Sequence, residues 1–114
     1  PFENISFIFN IEEIKNTKAN STILFYYDDE IILYCYENEL PYAVIVTSIK
    51  ETIYSNNLNA KYIISQKELS IELQKIADNY IYDSKILAII DSNEEFEKIA
   101  KCEIDGIIYR DLIK

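Results

Sequence analysis

The chain of 114 residues has one glycine, no histidine, and 20 acidic against 11 basic residues, which gives a net charge of −9. This length builds one domain around a single core, and it excludes a complete eight-stranded (βα) barrel, which needs roughly 250 residues. The lack of histidine excludes Ser-His and Cys-His nucleophile pairs and a histidine-bound metal. One glycine excludes the glycine-rich phosphate loops of common nucleotide sites.

Charge, cysteine content and the N-terminal sequence indicate which partners and which cellular location to expect. No cluster of lysine and arginine exists, so we expect no binding to nucleic acid or to an anionic membrane surface. Cys35 and Cys102 belong to no CxxC pair, and we expect both to be reduced in a cytoplasmic protein. No targeting segment is visible, but the chain begins at Pro1 and lacks methionine, so we treat it as a complete domain or a piece of a longer chain.

Short runs of β-branched and aromatic residues recur about every 20 residues, and helical stretches follow most of them. Alternating apolar residues over 5–11 predict an extra strand near the N-terminus, before a weak helix or loop over 12–20. The later strands are predicted at residues 23–27, 42–46, 62–64, 86–90 and 107–109. This rhythm is typical of βα units that build a parallel sheet.

The first helix is predicted from the acids after residue 27 to about Glu39, because Pro41 stops it. Its residues 31–36 are all apolar or aromatic, so we expect it to be central or to contact another chain. Tyr34 and Tyr36 are therefore candidate interface residues, since tyrosine is enriched at interfaces. Ordinary core packing of these tyrosines is the alternative.

Three later helices share a start signal. A serine is followed three residues on by a glutamate, which predicts a capping box at each start. The pairs are Ser48 with Glu51, Ser65 with Glu68, and Ser92 with Glu95. These starts follow directly on predicted strands and support the strand-turn-helix register.

The predicted fold is a single α/β domain over residues 1–114 with a flavodoxin-like architecture. We expect a three-layer open sheet, mainly parallel, of five or six strands with helices on both faces. In such a sheet the ligand crevice lies at the carboxyl ends of the strands. Polar residues that follow the predicted strands are therefore the candidate site residues.

Three carboxylates are the best candidate metal ligands. Asp28 and Asp29 follow one strand, and Asp91 ends another. If those strands are neighbours, the three side chains converge on a site for a hard cation such as Mg²⁺, the one cofactor the sequence suggests. The alternative is that the acids cap helices and turns.

Two further residues are candidate anion contacts. Arg110 is the only arginine and follows the last strand, where it would bind phosphate or carboxylate, or form an ion pair with one of the acids. Ser65 begins a predicted helix, where it would contact a ligand or act only as a cap. The sequence does not decide between a ligand contact and a structural role for either residue.

Two segments resemble receiver domains of two-component systems. Residues 23–30, ILFYYDDE, are similar to the receiver strand that ends in a Mg²⁺-binding acidic pair, and residues 104–112, IDGIIYRDL, to its last strand. The resemblance matches Asp28 and Asp29 to the metal acids and places Arg110 near the family's lysine. The phosphoacceptor aspartate is replaced by Ser65-Gln66, so the resemblance implies a receiver-like scaffold without phosphorylation.

A third segment resembles (βα) barrel enzymes that bind phosphorylated substrates. Residues 85–107 look like two adjacent barrel units, as in indole-glycerol-phosphate synthases, and they carry over no catalytic residue. Generic βα composition is the alternative explanation.

We therefore expect a non-catalytic regulatory or protein-interaction domain that binds another protein or a second copy of itself. The alternative is a small-molecule or Mg²⁺-binding domain with weak phosphate-related activity at the strand carboxyl ends. The sequence points to no catalytic residue, and it favours a protein without enzymatic activity.

Overall fold

The computed structural model describes residues 4–114. The strands are β1 (Ile5–Phe7), β2 (Thr22–Tyr26), β3 (Tyr42–Ile45), β4 (Tyr62–Gln66), β5 (Lys85–Ile90) and β6 (Gly106–Tyr109). The α-helices are α1 (Asp29–Glu37), α2 (Ile49–Asn57), α3 (Lys67–Tyr80) and α4 (Asn93–Lys101). Short 3₁₀ helices cover Ile11–Asn16 and Arg110–Leu112. The extra N-terminal strand is thus present, over fewer residues than the alternation predicted.

All six strands pair in parallel in one sheet, in the order β1-β2-β3-β4-β5-β6. Each strand therefore lies beside the next strand along the chain. The predicted α/β class with an open parallel sheet is confirmed. The sheet contains no reversal of strand order, whereas a flavodoxin-like sheet has one.

The helices lie on one face of the sheet, which differs from the expectation of helices on both faces. Ile32 of α1 and Leu73 of α3 pack in one cluster with strand residues such as Val44. Ile99 of α4 packs with Ala88, whose side chain is on the same side of the sheet. The reason is topological, because a right-handed crossover to the next strand always passes the same side unless the strand order reverses. We call this side the helical face.

The other side of the sheet, which we call the inner face, is covered by the sheet itself. Its cluster comes from the strands and the C-terminal segment, and among residues 4–114 it includes no member of α1–α4. The cluster contains Leu24, Ala43, Ile45, Ile64, Ile89 and Ile108, with Phe7, Tyr62, Leu87 and Ile113 packed against them. Leu24 is 0% and Ala43 1% exposed, because the sheet curls around this face. A curled sheet in chain order with outer helices is the arrangement of consecutive (βα) barrel units.

Local side-chain contacts set where the helices begin. Asp28 caps α1 by accepting hydrogen bonds from the backbone amides of Glu30 at 2.9 Å and Ile31 at 3.2 Å. Ser48 caps α2 by accepting the amide of Glu51 at 3.2 Å. The Ser92 capping box is confirmed at the start of α4. The first helix ends at Glu37, two residues earlier than predicted.

The capping box predicted for Ser65 is wrong. The β4 strand continues through Gln66, and Gln66 is the residue that precedes α3 and makes no side-chain capping bond. Ser65 is paired in the sheet, opposite Ala88 of β5. Ladder hydrogen bonds fix it in the strand, so the local Ser-Glu signal does not decide the helix start.

Candidate functional site

The polar residues at the carboxyl end of the inner face form the first candidate site. Side chains two residues apart on a strand point to the same side, so each of these residues continues an inner-face row. The rows end in Tyr26 after Leu24, Gln66 after Ile64, Asp91 after Ile89, and Arg110 after Ile108. We call Tyr26, Gln66, Asp91 and Arg110 the rim.

Arg110 is the centre of the rim. Its Nε donates to Asp91 Oδ1 at 2.6 Å, and its Nη2 donates to Gln66 Oε1 at 3.1 Å. The hydrogen bond to Asp91 is the main reason that the pKa of Arg110 is raised, and Tyr26 adds to the same shift. The side chains of Arg110 and Asp91 are 47% and 60% exposed, so this ion pair lies at the protein surface.

Glu95 of α4 binds the backbone at the rim residue Asp91. Its Oε2 accepts the backbone amides of Asp91 at 2.6 Å and Ser92 at 3.2 Å. Its other oxygen forms an ion pair with Lys67 at the start of α3. The Lys67 hydrogen bond, with these amides, lowers the pKa of Glu95 to about 2. These contacts connect the carboxyl end of β5 to the starts of α3 and α4.

An aromatic group faces this polar network from the β1 and β2 side. The ring of Phe7 lies 5.1 Å from that of Phe9 and 5.6 Å from that of Tyr26, both edge-on. Phe9 is 61% and Tyr26 48% exposed. The rim therefore combines the guanidinium of Arg110 with the exposed ring of Tyr26, and Phe7 connects that ring to Phe9.

The three predicted metal acids are not brought together. Asp28 and Asp29 follow β2, whereas Asp91 follows β5, and two strands lie between these. Asp28 is the cap of α1, and Asp91 is the partner of Arg110. Within residues 4–114 there is no group of three or more histidine, cysteine, aspartate or glutamate side chains that could hold a metal ion.

The other predicted contact residues differ in their exposure to solvent. Ser65 is 0% exposed, and its hydroxyl donates to the carbonyl of Gln66 at 3.2 Å, so it is covered by the protein. Tyr36 is 43% exposed on α1, and Leu33 beside it is equally exposed, whereas Tyr34 is half-buried.

A second candidate site lies between helices α2 and α3 and was not predicted. It is a groove of about 570 Å³ lined by Ile49, Ile53, Asn56, Asn57, Ile76, Tyr80 and Tyr82. We call it the α2–α3 groove. At its edge Tyr80 is 75% and Ile81 85% exposed, and Ile81 ends α3 with a left-handed φ of 53°. The sequence signal was present, because Ile49 and Ile53, like Ile76 and Tyr80, are spaced i, i+4 and share one helix face.

No protein-family model and no curated protein matches this chain. In the part of the chain that the structure describes, no helix has the length and apolar character needed to cross a membrane.

Proposed function

We propose that this protein is a non-catalytic, regulatory protein-interaction domain of the cytoplasm that binds its partner in the α2–α3 groove. One observation carries the proposal: Tyr80 and Ile81, at 75% and 85% exposure, stand beside an apolar groove between two helices. Large apolar side chains that share an exposed patch mark interaction sites more often than isolated ones do. The exposed Leu33 and Tyr36 of α1 extend this apolar character over the helical layer.

The chemistry of the groove favours an amphipathic helix with a basic polar face. Parallel helices with a furrow between them accept such a helix through anchors at i, i+3, i+4 and i+7. The lining residues carry no charge, while the chain as a whole has a net charge of −9. Asp78 and Asp83 flank the lining residues Tyr80 and Tyr82 in sequence, and Lys50 and Lys75 adjoin Ile49 and Ile76, so the preference for a basic partner rests on the net charge of the chain.

The rim supports a structural more than a catalytic role. Asp91 is bonded to Arg110, and Glu95 is bonded to Lys67 and to two backbone amides. A general acid or base needs a group that is free to exchange a proton with a substrate near neutral pH. The lowered pKa of Glu95, about 2, makes it unsuited to that task.

The receiver-like part of the proposal rests on residues 23–30 and 104–112. The strand carrying Ser65 ends without an acid, which agrees with a scaffold that is not phosphorylated. The strand order is that of consecutive βα units, so the likeness to a receiver is one of local sequence.

The proposal is tested with a designed amphipathic Leu/Lys helical peptide as the probe, followed by amide NMR of the protein. Saturable shifts are expected at Ile53, Ile76 and Tyr80, and Ile53→Asp should weaken binding at least about tenfold, since it places a charge in the apolar groove. A Leu/Glu peptide of the same length is one control, and the variant Phe96→Asp, which changes an exposed apolar residue of α4 outside the groove lining, is the other. Equal binding of both peptides, or shifts outside the groove, would contradict the proposal.

The second-copy version of the proposal is tested by the molar mass in solution. Light scattering over a concentration series should show a dimer that Ile53→Asp dissociates if the partner is another copy of this chain. A monomer at every concentration would rule out a second copy of this chain as the partner.

A second candidate function is small-anion binding at the rim. The observation that favours it is the orientation of Arg110, whose Nε and Nη2 are bonded while its Nη1 makes no hydrogen bond within residues 4–114. The outer edge of the guanidinium is thus open to a phosphate or carboxylate. Adding inorganic phosphate should shift the Arg110 side-chain resonance in a saturable way, and Mg²⁺ added alone tests the remaining Asp28 and Asp29 pair. Absence of both effects at millimolar ion would remove this candidate.

A further inference from the structure

A slot on the inner face opens between the two outer strands of the sheet. It has a volume of about 320 Å³, with Leu24, Ala43, Ile64 and Leu87 among the residues that line it. Ile5 of β1 borders it on one side and Leu112, after β6, on the other. β1 and β6 are at opposite ends of the strand order and do not pair with each other. The curl brings them to the two sides of one apolar slot.

The slot is small compared with a protein segment, with a volume of about 320 Å³. Its floor residues Leu24, Ala43 and Ile64 are at most 1% exposed, so the sheet has already withdrawn them from solvent. A helix needs a channel of about 10 Å and would have to unroll the sheet to reach them. Any occupant must therefore be slender and apolar.

Gly106 keeps this space open. It is the only glycine of the chain and lies in β6 opposite Leu87, in a regular register without an inserted residue. No glycine among the described residues has a positive φ, so the backbone at this position does not require glycine. A Cβ on Gly106 would lie 2.7 Å from Leu87 Cδ2, so the Leu87 side chain, which also lines the slot, would have to shift. A glycine inside a regular strand marks a place where another group approaches closely.

We infer that the slot binds a single unbranched alkyl chain, such as that of a medium-chain fatty acid or alcohol. The volume corresponds to about ten methylene groups, since a water-sized group occupies about 30 Å³. Ile5, Leu87 and Leu112 of the lining keep exposed surface and offer a chain the contacts that a hydrophobic pocket supplies. The polar head remains at the opening between β1 and β6.

The test uses the full chain with decanoate and decanol as probes below their micelle concentrations. Amide NMR is expected to show saturable shifts at Ile64, Leu87 and Ile108 with both probes. Gly106→Ala should weaken binding about tenfold or more, since one methyl group in a fitted pocket changes affinity by that order. Ile86→Val is the control, because Ile86 precedes the slot residue Leu87 in β5 and its side chain faces the helices; the affinity of this variant should stay within about twofold of the original.

Leu87→Ala keeps the inference testable if Gly106→Ala does not fold. It removes the side chain that narrows the slot, so the preference should move from decanoate to a longer chain such as tetradecanoate. Shifts confined to the α2–α3 groove, shifts with decanoate at surface lysines alone, or no saturable shift with either probe would overturn the inference. The groove proposal does not depend on this result.

Discussion

The two cysteines show how position within the fold sets the chemistry of a side chain. Cys35 is 0% exposed in the core between α1 and the sheet, whereas Cys102 is exposed at the end of α4. Burial raises the pKa of the Cys35 thiol to about 11. Because the thiolate is the reactive form, the two cysteines should differ greatly in their rates of reaction with a thiol reagent.

The first prediction is therefore a two-phase reaction with a thiol reagent at pH 8. One thiol, Cys102, should react at once, and Cys35 should react only at the rate at which the protein opens. Cys102→Ser should remove the fast phase and leave the slow one, while Cys35→Ser should do the reverse. Two fast phases in the native protein would contradict the buried position of Cys35.

Tyr42 provides the second prediction at this scale. Its hydroxyl donates to the carbonyls of Ser55 at 3.2 Å and Leu58 at 2.9 Å, which ties β3 to the end of α2. Tyr42→Phe should lower the free energy of unfolding by about 1 kcal/mol, because the hydrogen bonds of the buried hydroxyl are lost while the Ser55 carbonyl still accepts the backbone amides of Leu58 and Ala60. Urea unfolding measures the change. Tyr36→Phe is the matched control, since Tyr36 is 43% exposed, and it should leave the free energy of unfolding nearly unchanged.

At the scale of elements, a helix start is decided jointly by its cap and by the strand before it. Ser48 and Ser92 stand in extended backbone just outside their strands, and each caps its helix through the amide expected from the sequence. Ser65 is also followed by a glutamate three residues on, but the next residue, Gln66, still pairs with Ile89. Ser65 therefore lies inside β4 and not at the helix start. A local motif predicts a helix start only where the sheet ladder has already ended.

The third prediction concerns the start of α4 and its dependence on pH. The pKa of Glu95 is lowered to about 2 from an ordinary 4.5, so the charged form stabilises the folded state. That stabilisation is present in full above pH 4.5 and is lost as the pH falls through about 2. Glu95→Gln should thus lower the free energy of unfolding at pH 7 and make a smaller difference near pH 2.5, where part of the charge is lost.

Urea unfolding of both proteins over this pH range measures the effect. Glu97→Gln, on the same helix and outside the capping contacts, is the control and should show no such convergence. A difference between Glu95→Gln and the original protein that is the same at both pH values would disprove the assigned cause.

At the scale of the whole molecule, the sequence predicted the βα units and their parallel pairing, but not the side on which the helices lie. Strands such as Ile86–Ile90 are apolar on both faces, so their pattern is the same whether helices cover one face or two. The strand order decides this, and the order depends on long-range contacts that no local pattern records. The rim was partly predicted: an ion pair of Arg110 with one of the acids was one of its two expected roles, and the adjacency of β5 and β6 selects Asp91 as the partner.

The charge of the whole chain gives the fourth prediction. A net charge of −9 on a small domain destabilises the compact state by self-repulsion. Raising sodium chloride from about 10 to about 200 mM should therefore increase the free energy of unfolding measured with urea, since added salt screens the repulsion. Replacing Glu37 and Glu39 by glutamine should flatten this dependence. A fall in stability with salt would mean that the surface ion pairs outweigh the repulsion.

The parallel arrangement of the sheet also restricts how copies of this protein could join through their outer strands. The free side of β6 and the free side of β1 are different surfaces, so parallel pairing of β6 with β1 of another copy is head-to-tail. Such a contact does not close at two molecules and leads to a ring or a growing fibre. The three residues of β1 offer only a short run of backbone hydrogen bonds, which limits this growth as short edge strands do elsewhere.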